Sequence, residues 1–185
     1  MLEPKIALGY AAPSIEILIP PEKLQARIVE LAAQIDADYA GRNLIMICVL
    51  KGGVMFLTDL MCHTHIPHAI DFMAVSSYGV GARESTGVVR IIMDLATNIS
   101  DKHVLLVEDI IDSGRTLGYL REVLLARNPA SLAICALLDK HERREVDVPL
   151  DYVGFEIPNE FVFGYGLDVD ELYRNLPFIG VLREA

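Results

Sequence analysis

Residues 104–117 read Val-Leu-Leu-Val-Glu-Asp-Ile-Ile-Asp-Ser-Gly-Arg-Thr-Leu. An apolar run of strand character, His103–Glu108, leads straight into two adjacent carboxylates, Glu108 and Asp109. Two further apolar residues separate these from Asp112, and Ser113-Gly114-Arg115-Thr116 then open what reads as a helix. The second half suits an anion. Gly114 lets the backbone turn tightly and approach a ligand with no Cβ in the way. Successive N–H groups at a helix start form an anion-binding concavity, to which Ser113 and Thr116 add hydroxyls, so a phosphate monoester could be held without a lysine. The first half suits something else. Two neighbouring carboxylates are poor company as bare charges and need cations or hydroxyl donors. A ribose with its two ring hydroxyls, together with a magnesium ion, supplies both. Asp112 lies between the halves, where a carboxylate could move a proton or stabilise a cationic sugar.

Working outward, the flanking sequence alternates strand and helix signals. Pro21 opens a helix over 21–40, with Leu24, Ile28, Leu31, Ala32 and Ile35 at helical spacing and Gly41 ending it. Leu44–Leu50 is a continuous apolar run, the mark of a strand covered on both faces. Lys51-Gly52-Gly53 breaks it, and Val54, Leu57, Leu60 and Met61 resume helical spacing. Strands are expected over 69–76, Val88–Met93, Ser131–Leu138 and Tyr152–Ile157, and a helix carrying Leu117, Leu120, Val123 and Leu124 before Asn128-Pro129. Residues 77–87 are polar with three glycines, and read as a mobile loop or hairpin connection. The tail, 158–185, shows no long helix. The alternation predicts an α/β domain with a mostly parallel central sheet flanked by helices. Ligands of such sheets bind beyond the carboxyl ends of the strands. This directs attention to Lys51-Gly52-Gly53, Glu108–Thr116 and Asp139-Lys140.

The chain has 185 residues and a formal net charge of −10. That balance argues against a nucleic-acid binder, which would carry a basic stripe, but not against a small anionic substrate held by local donors. Cys48, Cys62 and Cys135 form no CxxC pair, and the expectation is small buried hydrophobes in a reducing compartment. The N-terminal residues lack the charged and apolar regions of a secretory signal, and the longest apolar run is far too short for a bilayer. A cytoplasmic protein with no membrane partner is expected.

The 104–117 segment resembles the PRPP-binding signature of the type I phosphoribosyltransferases: two apolar positions, two acids, two apolar positions, then Asp-Ser/Thr-Gly-x-Thr. Further stretches carry the likeness along nearly the whole chain, and it is nearest to the branch acting on hypoxanthine and guanine. Leu50-Lys51-Gly52-Gly53 resembles the family's pyrophosphate loop and Ser77-Tyr78 the start of its lid. Leu137-Leu138-Asp139-Lys140 resembles the strand end that bears the base-recognition lysine. Residues 153–168 resemble the purine-stacking segment that ends in a metal-binding acid.

The resemblance implies a core over about 21–157 and a small hood from about 1–20 and 158–185, together one domain. It implies transfer of the phosphoribosyl group of PRPP to hypoxanthine or guanine, giving IMP or GMP and pyrophosphate, with Mg2+ as cofactor. The 5-phosphate would lie on Asp112, Ser113, Gly114, Arg115 and Thr116. Glu108 and Asp109 would face the ribose and a magnesium ion, and Asp112 would exchange a proton at purine N7. Lys51, Gly52 and Arg174 would take pyrophosphate, with a Leu50–Lys51 peptide that can be cis. Lys140 would donate to the purine O6, Phe161 would stack on the ring, Val162 would offer backbone groups, and Asp168 would hold a second magnesium. His141 departs from the Pro or Arg frequent after this lysine, and reads as a surface histidine. A homodimer or homotetramer is implied. Two alternatives stay open at this point: a regulatory protein of the same fold that binds nucleotides or RNA, and an enzyme of the fold acting on xanthine, adenine or a pyrimidine.

Overall fold

The computed structural model describes residues 14–76 and 89–183. The predicted loop at 77–87, with Ser77 and Tyr78, lies outside them. A six-stranded sheet forms the centre, in the order β4-β3-β2-β5-β6-β7. Its strands are β2 (Leu44–Leu50), β3 (His68–Ser76), β4 (Arg90–Met93), β5 (His103–Ile111), β6 (Ser131–Asp139) and β7 (Tyr152–Glu156). Every pairing is parallel except that of β3 with β4. Helices α1 (Pro21–Asp38) and α2 (Val54–His63) cover one face, and α3 (Arg115–Leu125) the other.

The two-sided cover explains the unbroken apolar strands. Along β2, Leu44, Met46 and Cys48 face the α1/α2 layer, whereas Ile45, Ile47 and Val49 face α3. Along β5 the same alternation sends Leu105 and Val107 one way and Val104 and Leu106 the other. Burying a side chain of this size stabilises by roughly 1.5–3 kcal/mol, so a one-residue slip in register would exchange both layers at once. Pro21 is the first residue of α1, as its fixed φ and missing N–H favour, and Leu24, Ile28, Leu31, Ala32 and Ile35 form the buried stripe. Cys48 and Cys135 are buried, as expected, but Cys62 is exposed: it falls on the outer side of α2, away from the stripe that Phe56, Leu57 and Leu60 bury.

A second sheet, antiparallel and three-stranded, joins both ends of the described chain. Its order is β1-β9-β8, from Ser14–Ile19, Ile179–Arg183 and Val162–Phe163. Val162, Tyr165, Leu167, Ile179 and Val181 pack into the same apolar cluster as α1 and α2. One polar contact ties this unit to the helices. The Tyr165 hydroxyl donates to Asp59 of α2, whose Oδ2 also receives Gln25 Nε2 of α1 at 2.5 Å. Because Tyr165 is buried, Tyr165→Phe removes a donor to a carboxylate without opening a cavity. It is expected to cost about 1–3 kcal/mol and to lower Tm by roughly 2–10 °C. Thermal melting of the two proteins side by side tests this, and an unchanged Tm would show that packing alone holds the second sheet.

Candidate active site

The site arises from unequal strand pairing. β2 pairs with β5 only as far as Cys48 opposite Val107, whereas β6 continues to Asp139 opposite Ile111. The sequence reading ended this strand at Glu108, but hydrogen bonding to β6 carries it three residues further. Glu108 and Asp109 therefore sit on a rigid strand with an open flank rather than on a loop after it. Lys51-Gly52-Gly53 fills that flank, and the Leu50–Lys51 peptide is cis. The fit is close. A Cβ on Gly52 would lie 1.5 Å from Asp109 Oδ2, and one on Gly166 (φ +102°) would lie 2.0 Å from the Gly52 carbonyl oxygen. The loop after β2, the acids of β5 and the turn after β8 are thus in mutual contact.

Beyond Ile111 the chain turns through Asp112-Ser113-Gly114 into α3. Gly114 stands before the helix at φ +78°, in the left-handed region. A side chain there would also strike the Val146 carbonyl, 2.7 Å from the position of its Cβ. The Ser113 carbonyl accepts from Glu145 N and Val146 N at 3.0 and 3.1 Å, so residues 144–148 brace the turn from behind. The N–H groups of Ser113 and Gly114 donate to nothing among the described residues. Both residues line a cavity of about 220 Å³, together with residues 108–112, Val49, Thr116 and Leu117. Arg115, expected among the phosphate ligands, turns its guanidinium to Glu145 and contributes only main chain to the turn.

Burial sets the charges. Glu108 is 7% exposed, and desolvation, with Asp109 beside it, holds its carboxyl well above the usual range. Desolvation also raises Asp109 to about 6, with the Asp168 carboxylate adding to the rise and backbone donors and Arg174 opposing it. Lys140, at the end of β6, is 7% exposed; desolvation lowers its pKa, offset in part by Asp112 and deepened by Arg143. Asp112 Oδ1 is shielded from solvent and lies 3.1 Å from Arg143 Nε, an ion-pair separation without hydrogen-bond alignment. Among the described residues, no acceptor takes a hydrogen bond from the Lys140 ammonium.

On the loop after β8, Arg174 contacts Asp168 Oδ1 at 2.7 Å and the Gly166 carbonyl at 2.8 Å. Lys51 reaches Glu171 at 2.8 Å. Phe161 is 62% exposed, unusual for a large aromatic ring, while its neighbour Val162 is buried. His141 is exposed, as expected of a surface residue. Three residues near the site drew no attention in the sequence: Arg143, Arg144 and Glu171. Arg144 holds buried Asp139 through Nε at 3.2 Å and Nη2 at 3.0 Å, and donates to the Val148 carbonyl at 2.7 Å. It fixes the loop that follows Lys140. The only sequence signal was an arginine pair shortly after that lysine.

A parallel sheet whose carboxyl ends present a glycine-turned anion cradle beneath buried acids defines a protein that handles a phosphorylated sugar or nucleotide. Comparison with known proteins makes this specific. Residues 18–170 match the family model described as a phosphoribosyl transferase domain. The hypoxanthine phosphoribosyltransferase of Salmonella typhimurium is 50% identical over 169 residues, covering 90% of this chain and 94% of that protein. The hypoxanthine-guanine phosphoribosyltransferase of Mycobacterium tuberculosis is 51% identical over 172 residues, covering 90% and 85%. The crystal structure of a hypoxanthine phosphoribosyltransferase from Staphylococcus aureus matches with a TM-score of 0.86 at 49% identity, covering 91% of each chain. The chain belongs to the phosphoribosyltransferase family and is an enzyme of the transferase class.

Two outcomes follow from the geometry. Arg144→Met strands a buried carboxylate and should cost about 3–5 kcal/mol, whereas adding Asp139→Leu should restore much of that, because both charges then leave together. Urea unfolding of the two variants measures the difference, and equal losses would show that the pair is not coupled. The raised Asp109 carboxyl takes up a proton on folding. Its contribution to the ligand-free protein is therefore full below pH about 4 and lost as pH rises through about 6. Asp109→Asn should flatten the fall in Tm across that interval; a profile identical to the parent would contradict the assignment.

Proposed function

We propose that this chain is a purine-salvage enzyme that transfers the 5-phosphoribosyl group of PRPP to hypoxanthine, and to guanine, releasing IMP or GMP and pyrophosphate. The observation that carries the reading is Lys140, a lysine only 7% exposed as a residue and close to Asp112, with no hydrogen-bond acceptor for its ammonium among the described residues. The carbonyl oxygen of a 6-oxopurine is such an acceptor, whereas the 6-amino group of adenine is a donor and would leave the lysine unpaired. Relatives at about half identity carry both hypoxanthine and hypoxanthine-guanine in their names, in line with both bases.

In this reading the 5-phosphate sits on the Ser113 and Gly114 N–H groups, with the hydroxyls of Ser113 and Thr116. Glu108 and Asp109 face the ribose hydroxyls. The bond from C1 to pyrophosphate oxygen breaks, a bond from C1 to the base nitrogen forms, and the base gives up one proton. Asp112 takes that proton at N7: one of its oxygens already lies in a dry position with no hydrogen bond. Phe161, largely exposed, stacks on the purine, and Val162 offers main-chain groups to it. Lys51, Gly52 and Arg174 receive the pyrophosphate.

The donor set fits magnesium brought in by the substrate. Asp109 and Asp168 are coupled carboxylates, and no cluster of three or more protein ligands capable of holding a metal occurs among the described residues. Mg2+ commonly takes one or two carboxylates and completes its shell with water and substrate phosphates. When bound it would neutralise charge on the leaving pyrophosphate. No helix among the described residues is long and apolar enough to cross a membrane. The family resemblance supports a cytoplasmic homodimer or homotetramer.

The purified protein, mixed with PRPP and Mg2+, should form IMP and GMP rapidly, show little or no reaction with adenine, and stop on addition of EDTA. Xanthine in the same assay sets the base preference. Asp112→Asn should lower turnover with hypoxanthine by about 10²–10⁴-fold. Absence of nucleotide from every purine, with PRPP still bound, would overturn the reading.

A further inference from the structure

Residues 169–172 form a two-residue hairpin turn. Val169 and Leu172 exchange N–H···O bonds of 3.1 and 3.0 Å, and both central residues are left-handed, Asp170 at φ 50° and Glu171 at φ 67°. This is the type I′ geometry, whose favoured sequences are Asn-Gly and Asp-Gly because the second position strains any side chain. Here that position carries glutamate. Local backbone preference gives no reason for it, and strained positions of this kind cluster at working sites.

The Glu171 side chain supplies a reason. Its Oε2 lies 2.8 Å from Lys51 Nζ and 3.3 Å from Arg174 Nη2. These cations come from segments far apart in the chain, and both belong to the proposed pyrophosphate site. The backbone of Glu171 is anchored, since its N–H donates to Asp168 Oδ2 at 2.9 Å. The side chain is about two-thirds exposed, so it can swing away without opening a cavity.

We propose that Glu171 is an internal competitor of pyrophosphate: its carboxylate bridges Lys51 and Arg174 while the site is free, must leave when the diphosphate arrives, and returns as the diphosphate departs. The inference rests on the assignment of Lys51 and Arg174 to pyrophosphate. It gives the turn a role in product release, since a tethered anion next to the two cations rebinds them faster than an anion from solution.

Calorimetric titration with inorganic pyrophosphate at fixed Mg2+ tests it. Removing the charge while keeping the shape, Glu171→Gln, should tighten binding by about three- to tenfold, the scale of two exposed ion pairs. The gain should shrink at about 1 M salt, where exposed charges are screened. Glu171→Gly also relieves the left-handed position, and it should fold at least as well as the parent and show the same tightening. Equal or weaker pyrophosphate binding by both variants, with normal binding by the parent, would overturn the inference and leave the site assignment standing. A parent protein that binds no pyrophosphate would overturn both.

Discussion

The Asp109 carboxylate occupies the space where a side chain on Gly52 would be, and the rest of the site depends on that close approach. It is possible because β2 stops pairing with β5 at Val107, leaving the last turn of strand without a neighbour on that side. A loop of small residues can enter the gap; one with a Cβ at position 52 cannot, short of displacing the acid. Gly166 then closes on the Gly52 carbonyl from the second sheet. Three segments far apart in sequence are thereby held within contact distance at the carboxyl end of the central strands. Such placement keeps functional groups rigid because they stand on strands and their immediate turns. The same contact makes the second sheet part of the site rather than an ornament on it, since Arg174 and Asp168 lie on the loop that follows Gly166.

A protein with a net charge of −10 handling highly anionic ligands would be a contradiction if global charge decided binding. Local devices decide it instead. Ser113 and Gly114, whose N–H groups donate to nothing among the described residues, line the cavity at the start of α3, Arg143 pairs with Asp112 of its lining, and the Arg174 charge acts on Asp109. Burial raises both the Glu108 and the Asp109 carboxyl above the usual carboxylate range. Burying them is unfavourable for the fold, and the packed layers above and below the sheet offset that cost. The conflict between stability and site is confined to one strand end, where the apolar strand gives way to acid.

Much of this was legible in the sequence because its signals were physical. The unbroken apolar character of Leu44–Leu50 announced a strand covered on both faces, and Pro21 announced the start of a helix. Ser113-Gly114-Arg115-Thr116 announced a tight turn into a helix, and Gly114 makes that turn at φ +78°. What escaped notice depended on partners remote in the chain. Nothing local reveals that β5 continues through Asp109, because β6 supplies the hydrogen bonds. Arg144 looks like a surface cation until Asp139, five residues earlier, is seen to be buried. Asp170-Glu171 carries no turn signal, since the left-handed conformation at Glu171 goes against its residue type. Cys62 shares its composition with two buried cysteines and differs only in the side of a helix on which it falls.

The same distinction bears on how the base is chosen. An exposed lysine would remain solvated and indifferent to the group placed before it. Lys140 is only 7% exposed, between β6 and the loop that Arg144 pins to Asp139, and the Asp112 charge opposes the lowering of its pKa by burial. A buried donor left unpaired is costly, so the lysine rewards an acceptor and penalises a donor at the same spot. In the proposed function Asp112 would bear on both ends of the problem: its charge favours the protonated lysine that would read the base, and it would take the proton that the base loses. On that reading a single carboxylate would couple recognition to chemistry, and a purine of the wrong pattern would disturb the group on which its own reaction depends.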